Sequence, residues 1–219
     1  MSTRSAFDRD LEALEAQLLE LTSSVAAALK DAVRSLIEGD ITLADRIIAG
    51  DEDVNRRWSL MQHDILVTMA RRQPMATDLR ELMACFAITS DLERIGDHAK
   101  SIARVARSST PEPPERRLVT IPRMGDLCAE MLGAQVQAFL DRDVERASEI
   151  SSRDSELDRL FELAFEHRIA AMQADTAALD RASRLIGVAK SLERVGDHIT
   201  NIGEWTVFRA TGRLVELNA

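Results

Sequence analysis

The sequence predicts an all-α protein of six helices, forming two similar three-helix bundles in tandem. Three observations lead there. Apolar residues recur three and four apart along most of the chain, the spacing of one face of an α-helix, and no segment shows strand-like alternation. Glycine (nine) and proline (five) are sparse among 219 residues rich in Ala, Leu, Glu and Arg, a mix that favours helix. Finally, Ser90-Asp91-Leu92-Glu93-Arg94-Ile95-Gly96-Asp97-His98 returns one hundred positions later as Lys190-Ser191-Leu192-Glu193-Arg194-Val195-Gly196-Asp197-His198. Six of its nine residues recur unchanged, which marks two copies of one unit.

The first helix carries Phe7, Leu11, Leu14, Leu18, Leu21, Val25, Leu29, Ala32 and Leu36 on one stripe. Gly39 can close it in a left-handed conformation, and Asp40 can cap the second helix. The second stripe runs Ala44, Ile47, Asp51, Val54, Trp58, Met61, Ile65, with a carboxylate where an apolar residue belongs. A lone carboxylate in a buried seam is costly unless paired, ligated or protonated. Pro74 ends that helix. The third carries Leu79, Leu82, Phe86, Thr89, Glu93 and Asp97 on one side and Cys85, Ile88, Leu92, Ile95, Ala99 and Ile102 on another.

Four of the five prolines (Pro111, Pro113, Pro114 and Pro122) fall between Ser108 and Pro122, which reads as a linker. The expected division is a bundle at 1–107, a linker at 108–121 and a second bundle at 122–219. The second unit follows the same plan. Leu127, Met131, Ala134, Ala138 and Phe139 mark a fourth helix, and Asp143 can cap a fifth. That fifth helix reads Val144, Ala147, Ile150, Asp154, Leu157, Phe161, Ala164, with Asp154 in the seam as Asp51 was. Asp175 and Thr176 mark a turn. The sixth helix carries Leu185, Val188, Leu192, Val195, Ile199 and Ile202, and Gly212 ends it.

A net charge of −9 makes the chain a poor candidate for binding nucleic acid or an anionic membrane. Cys85 and Cys128 lie far apart without CxxC spacing, so they read as buried core thiols in a reducing compartment. No signal peptide is recognisable, and no apolar run approaches the ~20 residues that span a bilayer. The expectation is a cytoplasmic protein without membrane insertion.

Candidate chemistry lies in the acids. Residues i and i+4 share a helix face, with Cβ atoms roughly 5–6 Å apart. Glu93/Asp97, Glu193/Asp197 and Asp154/Asp158 all have this spacing. Asp51/Asn55 is the matching pair on the second helix, with an amide oxygen in place of one carboxylate. Each bundle thus has two helices able to offer two oxygen ligands each, and Asn201 and Glu204 continue the line on the sixth. An all-oxygen set suits hard cations: magnesium, manganese, calcium or oxidised iron. Gly96 and Gly196 leave room for a neighbouring helix or for bridging oxygens. The plainer reading is a solvated acidic face neutralised by Arg94, Arg194 or Lys100. Adjacent helical residues point about 100° apart, so His98 and His198 are expected to pack or hydrogen-bond at a helix interface.

With these residues in view, the chain resembles the PhoU family. The resemblance rests on Gln73-Pro74-Met75-Ala76-Thr77-Asp78-Leu79-Arg80, on Leu92 to His98, and on Leu192 to Glu204, which carries the second motif copy and an Asn-Ile extension. It covers nearly the whole chain. It implies two three-helix bundles with pseudo-two-fold symmetry and multinuclear metal sites of iron, manganese or magnesium. The implied ligands are Glu93, Asp97, Glu193, Asp197, Asp154 and Asp158, with Asp51 and the weaker Asn55. It also implies a non-enzymatic regulator of phosphate uptake. Its expected partners are the ATPase subunit of the phosphate ABC transporter and a sensor histidine kinase, and it is expected to be a homodimer. A metal-dependent hydrolase using the carboxylate clusters is the alternative, and a purely structural dimerisation module a third.

Overall fold

The computed structural model describes residues 3–108, 119–174 and 179–217. Most of the expected linker, and the expected turn at Asp175 and Thr176, lie outside the described residues. Among those described, all regular structure is helical: α1 (Thr3–Glu38), α2 (Ile41–Arg72), α3 (Thr77–Ser108), α4 (Thr120–Asp141), α5 (Val144–Ser152), α6 (Asp154–Ala174) and α7 (Leu179–Thr211). The all-α, six-rod expectation holds, with α5 and α6 as the two parts of the fifth rod.

The apolar stripes read from the sequence face the core, except that Leu79 at the start of α3 is exposed. All nine apolar positions of the α1 stripe are buried. At about 1.5–3 kcal/mol per buried large aliphatic side chain, such stripes are the main driving force of the fold. The punctuation also acts as expected. Gly39 turns at φ +67 and Gly212 ends α7 at φ +76. Asp40 caps α2 by accepting from the Leu43 amide at 2.9 Å, and Asp143 caps α5 by accepting from Arg146 at 3.0 Å. Pro122 sits in the first turn of α4 and not ahead of it, where its missing N–H costs nothing.

The sequence does not announce the break between α5 and α6. Ser152 Oγ donates back to the Glu149 carbonyl (2.7 Å), and Ser155 Oγ to that of Ser152 (3.0 Å). Serine hydroxyls bonded to nearby carbonyls compete with the helical ladder. The rod turns at Arg153 and restarts at Asp154.

Helices α1, α2 and α3 pack on one another, and α4, α5, α6 and α7 do the same. The two sets meet along α1 with α4 and α3 with α7, so one apolar core runs through both. A buried ionic hub sits at this junction. Arg209 of α7, 2% exposed, donates to the Phe139 carbonyl (2.8 Å) and to Glu15 Oε1 (2.7 Å). Its guanidinium lies 4.5 Å from the centroid of the Phe139 ring. Arg142 holds Glu81, also buried, at 2.6 Å. Four helices or helix ends from both sets are thereby tied together.

Candidate metal centre

The repeated motif lies on α3 and α7, and each copy faces a seam aspartate from the neighbouring rod. In the first set, Asp51 of α2 is buried, at 6% exposure. Lys100 Nζ bonds to its Oδ2, and Asn55 Nδ2 donates to the same oxygen at 3.1 Å. Asn55 Oδ1 is left buried without a hydrogen-bond partner. Glu93 faces this pair. Its carboxyl titrates above the usual range, first because it is partly buried and then because Asp97 and Asp51 are close, with Arg94 and His198 opposing.

In the second set, Asp154 stands at the start of α6, 9% exposed. Burial pushes its carboxyl up to about 6, and Asp158, Asp197 and Glu193 add to the shift. Asp158 is raised by burial and then by Glu193, Asp197 and Glu162, with Lys190 opposing. Glu193 Oε1 takes a hydrogen bond from Lys190 at 2.6 Å, while its Oε2 is buried without a hydrogen-bond partner. Arg194 bonds Asp197 at 3.3 Å.

Gly196 makes this apposition possible. A Cβ there would fall 2.5 Å from Asp154 Oδ1 and closer still to Leu157 Cδ2. At Gly96 the corresponding contact, to Val54 Cγ1, is 3.2 Å. The second pair of helices is therefore the tighter.

The eight candidate ligands fall into two groups: Asp51, Asn55, Glu93 and Asp97 between α2 and α3, and Asp154, Asp158, Glu193 and Asp197 between α6 and α7. Among the described residues, no three His, Cys, Asp or Glu side chains converge on one point. Acids that feel one another's charge turn toward the nearest cation, here Lys100, Lys190, Arg94 and Arg194.

Asn201 and Glu204 do not continue the acidic line. Asn201 Nδ2 donates to Asp91 Oδ1 (3.2 Å), and Glu204 Oε1 accepts from the Leu217 amide (3.0 Å). The histidines behave as expected of interface residues. The His98 and His198 rings lie 5.9 Å apart where α3 crosses α7, and His198 Nδ1 is 2.9 Å from Asp91 Oδ1. Both cysteines are free and buried, and burial raises both thiols. Among the described residues no helix is long and apolar enough to cross a membrane.

A family model, the PhoU domain, matches residues 18–106 and again 121–206. The two matches together span well over half of the chain. The chain belongs to the PhoU family. A phosphate-specific transport system accessory protein PhoU homologue of Rhizobium meliloti is 34% identical over 212 residues, 95% of this chain and 88% of the relative. One from Clostridium acetobutylicum is 31% identical over 217 residues, 99% of each. The crystal structure of PhoU from Pseudomonas aeruginosa superposes with a TM-score of 0.87 at 30% identity, covering 94% of this chain and all of that one. The phosphate transport system regulatory protein PhoU from Streptococcus pneumoniae gives a TM-score of 0.87 at 28% identity, covering 95% of this chain and 99% of that one.

Two structural features of this PhoU-family chain escape a reading of helical stripes. One is Asp91, which reads as a simple exchange for Ser191 between the copies yet holds His198 and Asn201 across the junction. The other is the hub at Arg209, near the chain end, where an arginine reads as a surface residue. Nothing local in the sequence marks its burial.

The raised Asp154 carboxyl has a pH consequence. Its folded-state value, about 6, exceeds the ordinary 3.8, so the folded chain holds that proton more tightly than the unfolded chain. The associated stability is complete below the ordinary value and is lost as pH rises through the folded one. Asp154→Asn mimics the protonated form at every pH. In metal-free thermal melts, the variant is expected to gain on wild type as pH rises across that window. A difference in melting temperature that stays constant from pH 4 to pH 7 would show that neither burial nor the neighbouring acids raise the Asp154 carboxyl.

Proposed function

We propose that the chain is a non-enzymatic regulator of phosphate uptake and phosphate-starvation signalling. It acts in the cytoplasm as a homodimeric, metal-binding adaptor between the ATPase subunit of a phosphate ABC transporter and a sensor histidine kinase. It restrains the starvation response when phosphate is plentiful. The observation that carries this reading is end-to-end likeness to PhoU accessory proteins, combined with both copies of the acidic motif folded against a seam aspartate.

The metal part of the reading has physical support. Asp154 is a buried acid surrounded by acids, and a buried charge without a counter-charge is costly. Asn55 Oδ1 and Glu193 Oε2, both without a hydrogen bond, are hard donors suited to iron, manganese or magnesium. A bound hard cation would supply positive charge between neighbouring rods and fix their spacing. Asp154 and Asp158 would hold it from α6, with Glu193 and Asp197 from α7. Asp51, Asn55, Glu93 and Asp97 are the corresponding set between α2 and α3, where Lys100 is already paired with Asp51.

The test is capture of both partners by the tagged full-length chain at high phosphate with manganese present. Retention of the transporter ATPase and of the kinase is expected. Retention of neither would overturn the adaptor reading. Phosphatase turnover abolished by Glu93→Ala and Glu193→Ala would replace it with a hydrolase.

A further inference from the structure

The two copies differ at two basic positions that reach the sites: Lys190 stands where the first copy has Ser90 and bonds Glu193 from an exposed position, whereas the second difference bears on the buried seam acid itself. Counting one hundred residues on, Lys100 corresponds to Thr200. Lys100 is the residue that neutralises the buried seam acid of the first set, Asp51. Thr200 carries no charge, and its hydroxyl is buried without a hydrogen-bond partner. The seam acid of the second set, Asp154, is buried to the same degree as Asp51. Among the described residues no donor or cation bonds to its carboxylate; the start of α6 supplies a partial positive charge and nothing supplies a full one.

The partner of Asp51 on its own helix differs in the same sense. Asn55 donates an amide hydrogen to Asp51, whereas its counterpart Asp158 adds a further negative charge beside Asp154. The second set has cations of its own, Lys190 on Glu193 and Arg194 on Asp197, but both are exposed and neither touches Asp154. Exposed pairs of this kind are weak and easily exchanged. The Lys100 pair is not, because removing it would strand a buried carboxylate.

We infer that the two halves are unequal cation sites: Lys100 is the resident cation of the first, and only the second takes a hard divalent metal ion from solution. The inference rests on the metal-binding reading above. It turns the repeat into a division of labour. One half is closed by its own side chain at every metal concentration, and the other is closed only when the ion is present.

The experiment is calorimetric titration of the metal-free full-length chain with manganese chloride, for wild type, Asp154→Asn, Lys100→Thr and Lys100→Gln. Lys100→Gln keeps a hydrogen-bond donor for Asp51 and serves if Lys100→Thr does not fold. Wild type is expected to bind at one set of sites. Asp154→Asn should weaken them by about 100-fold or more, at least the loss seen when a supporting ligand is removed. The Lys100 variants should gain a second set of sites. Wild-type binding that Asp154→Asn leaves in place, or Lys100 variants that take no more manganese than wild type, would overturn the inequality alone. No manganese binding by wild type or by either Lys100 variant would overturn both the inequality and the metal reading.

Discussion

Arg209→Ala is expected to cost about 3 kcal/mol or more of folding stability, measured by urea denaturation, because it leaves a buried carbonyl without its donor and a cavity between the helix sets. The side chain is sealed between the two helix sets, and four interactions end on it: the Phe139 carbonyl, Glu15, Glu81 at 3.9 Å and the Phe139 ring. Truncation leaves the carbonyl without its donor and opens a cavity where the guanidinium lay. Glu15 is partly exposed and can recover water, and Glu81 keeps Arg142, so the loss is concentrated on the carbonyl and the packing. Arg142→Ala is the control. Its side chain is largely exposed, but it is the closest partner of the buried Glu81, so a smaller and still measurable loss is expected. If the two substitutions cost the same small amount, the hub does not hold the halves together.

Gly196→Ala is expected to cost about 1–3 kcal/mol, the usual penalty for forcing extra atoms into a packed interior. The added methyl would meet Asp154 Oδ1 and Leu157 Cδ2, so α6 must move away from α7 or the seam acid must turn out. Either response disperses the acids. Manganese affinity should therefore fall together with stability. Gly96→Ala meets Val54 Cγ1 at 3.2 Å, a stiff β-branched group that has only a few tenths of an ångström to give, and the expected loss is below about 1 kcal/mol. Denaturation curves of the two variants, run side by side, check the contrast. Equal losses would mean that the two helix pairs approach equally closely.

The fold was legible because its determinants are local and periodic. The α1 stripe from Phe7 to Leu36 lands in the core residue for residue, and Gly39, Asp40, Asp143 and Gly212 punctuate the rods as their chemistry dictates. The seam aspartates were legible for the opposite reason. An acid at position 51 or 154 interrupts an apolar period, and that interruption marks a buried charge in need of a partner. Which partner each finds is a tertiary fact. Lys100 lies one helix away from Asp51 and 49 residues along the chain. Nothing in the repeat alone says that it reaches Asp51 and not the acids of its own helix. The break at Arg153 was hidden because both halves of the fifth rod keep one continuous apolar period across it. The Arg209 hub was hidden because arginine near a helix end is ordinarily a surface residue, and only the meeting of α4 with α7 buries it.

The metal centre is tested most directly by growing crystals in manganese and locating the ion from its anomalous scattering. The predicted result is a peak between α6 and α7, ringed by oxygens of Asp154, Asp158, Glu193 and Asp197. Strong peaks elsewhere, with these four acids still bonded to Lys190, Arg194 or solvent in manganese excess, would contradict it.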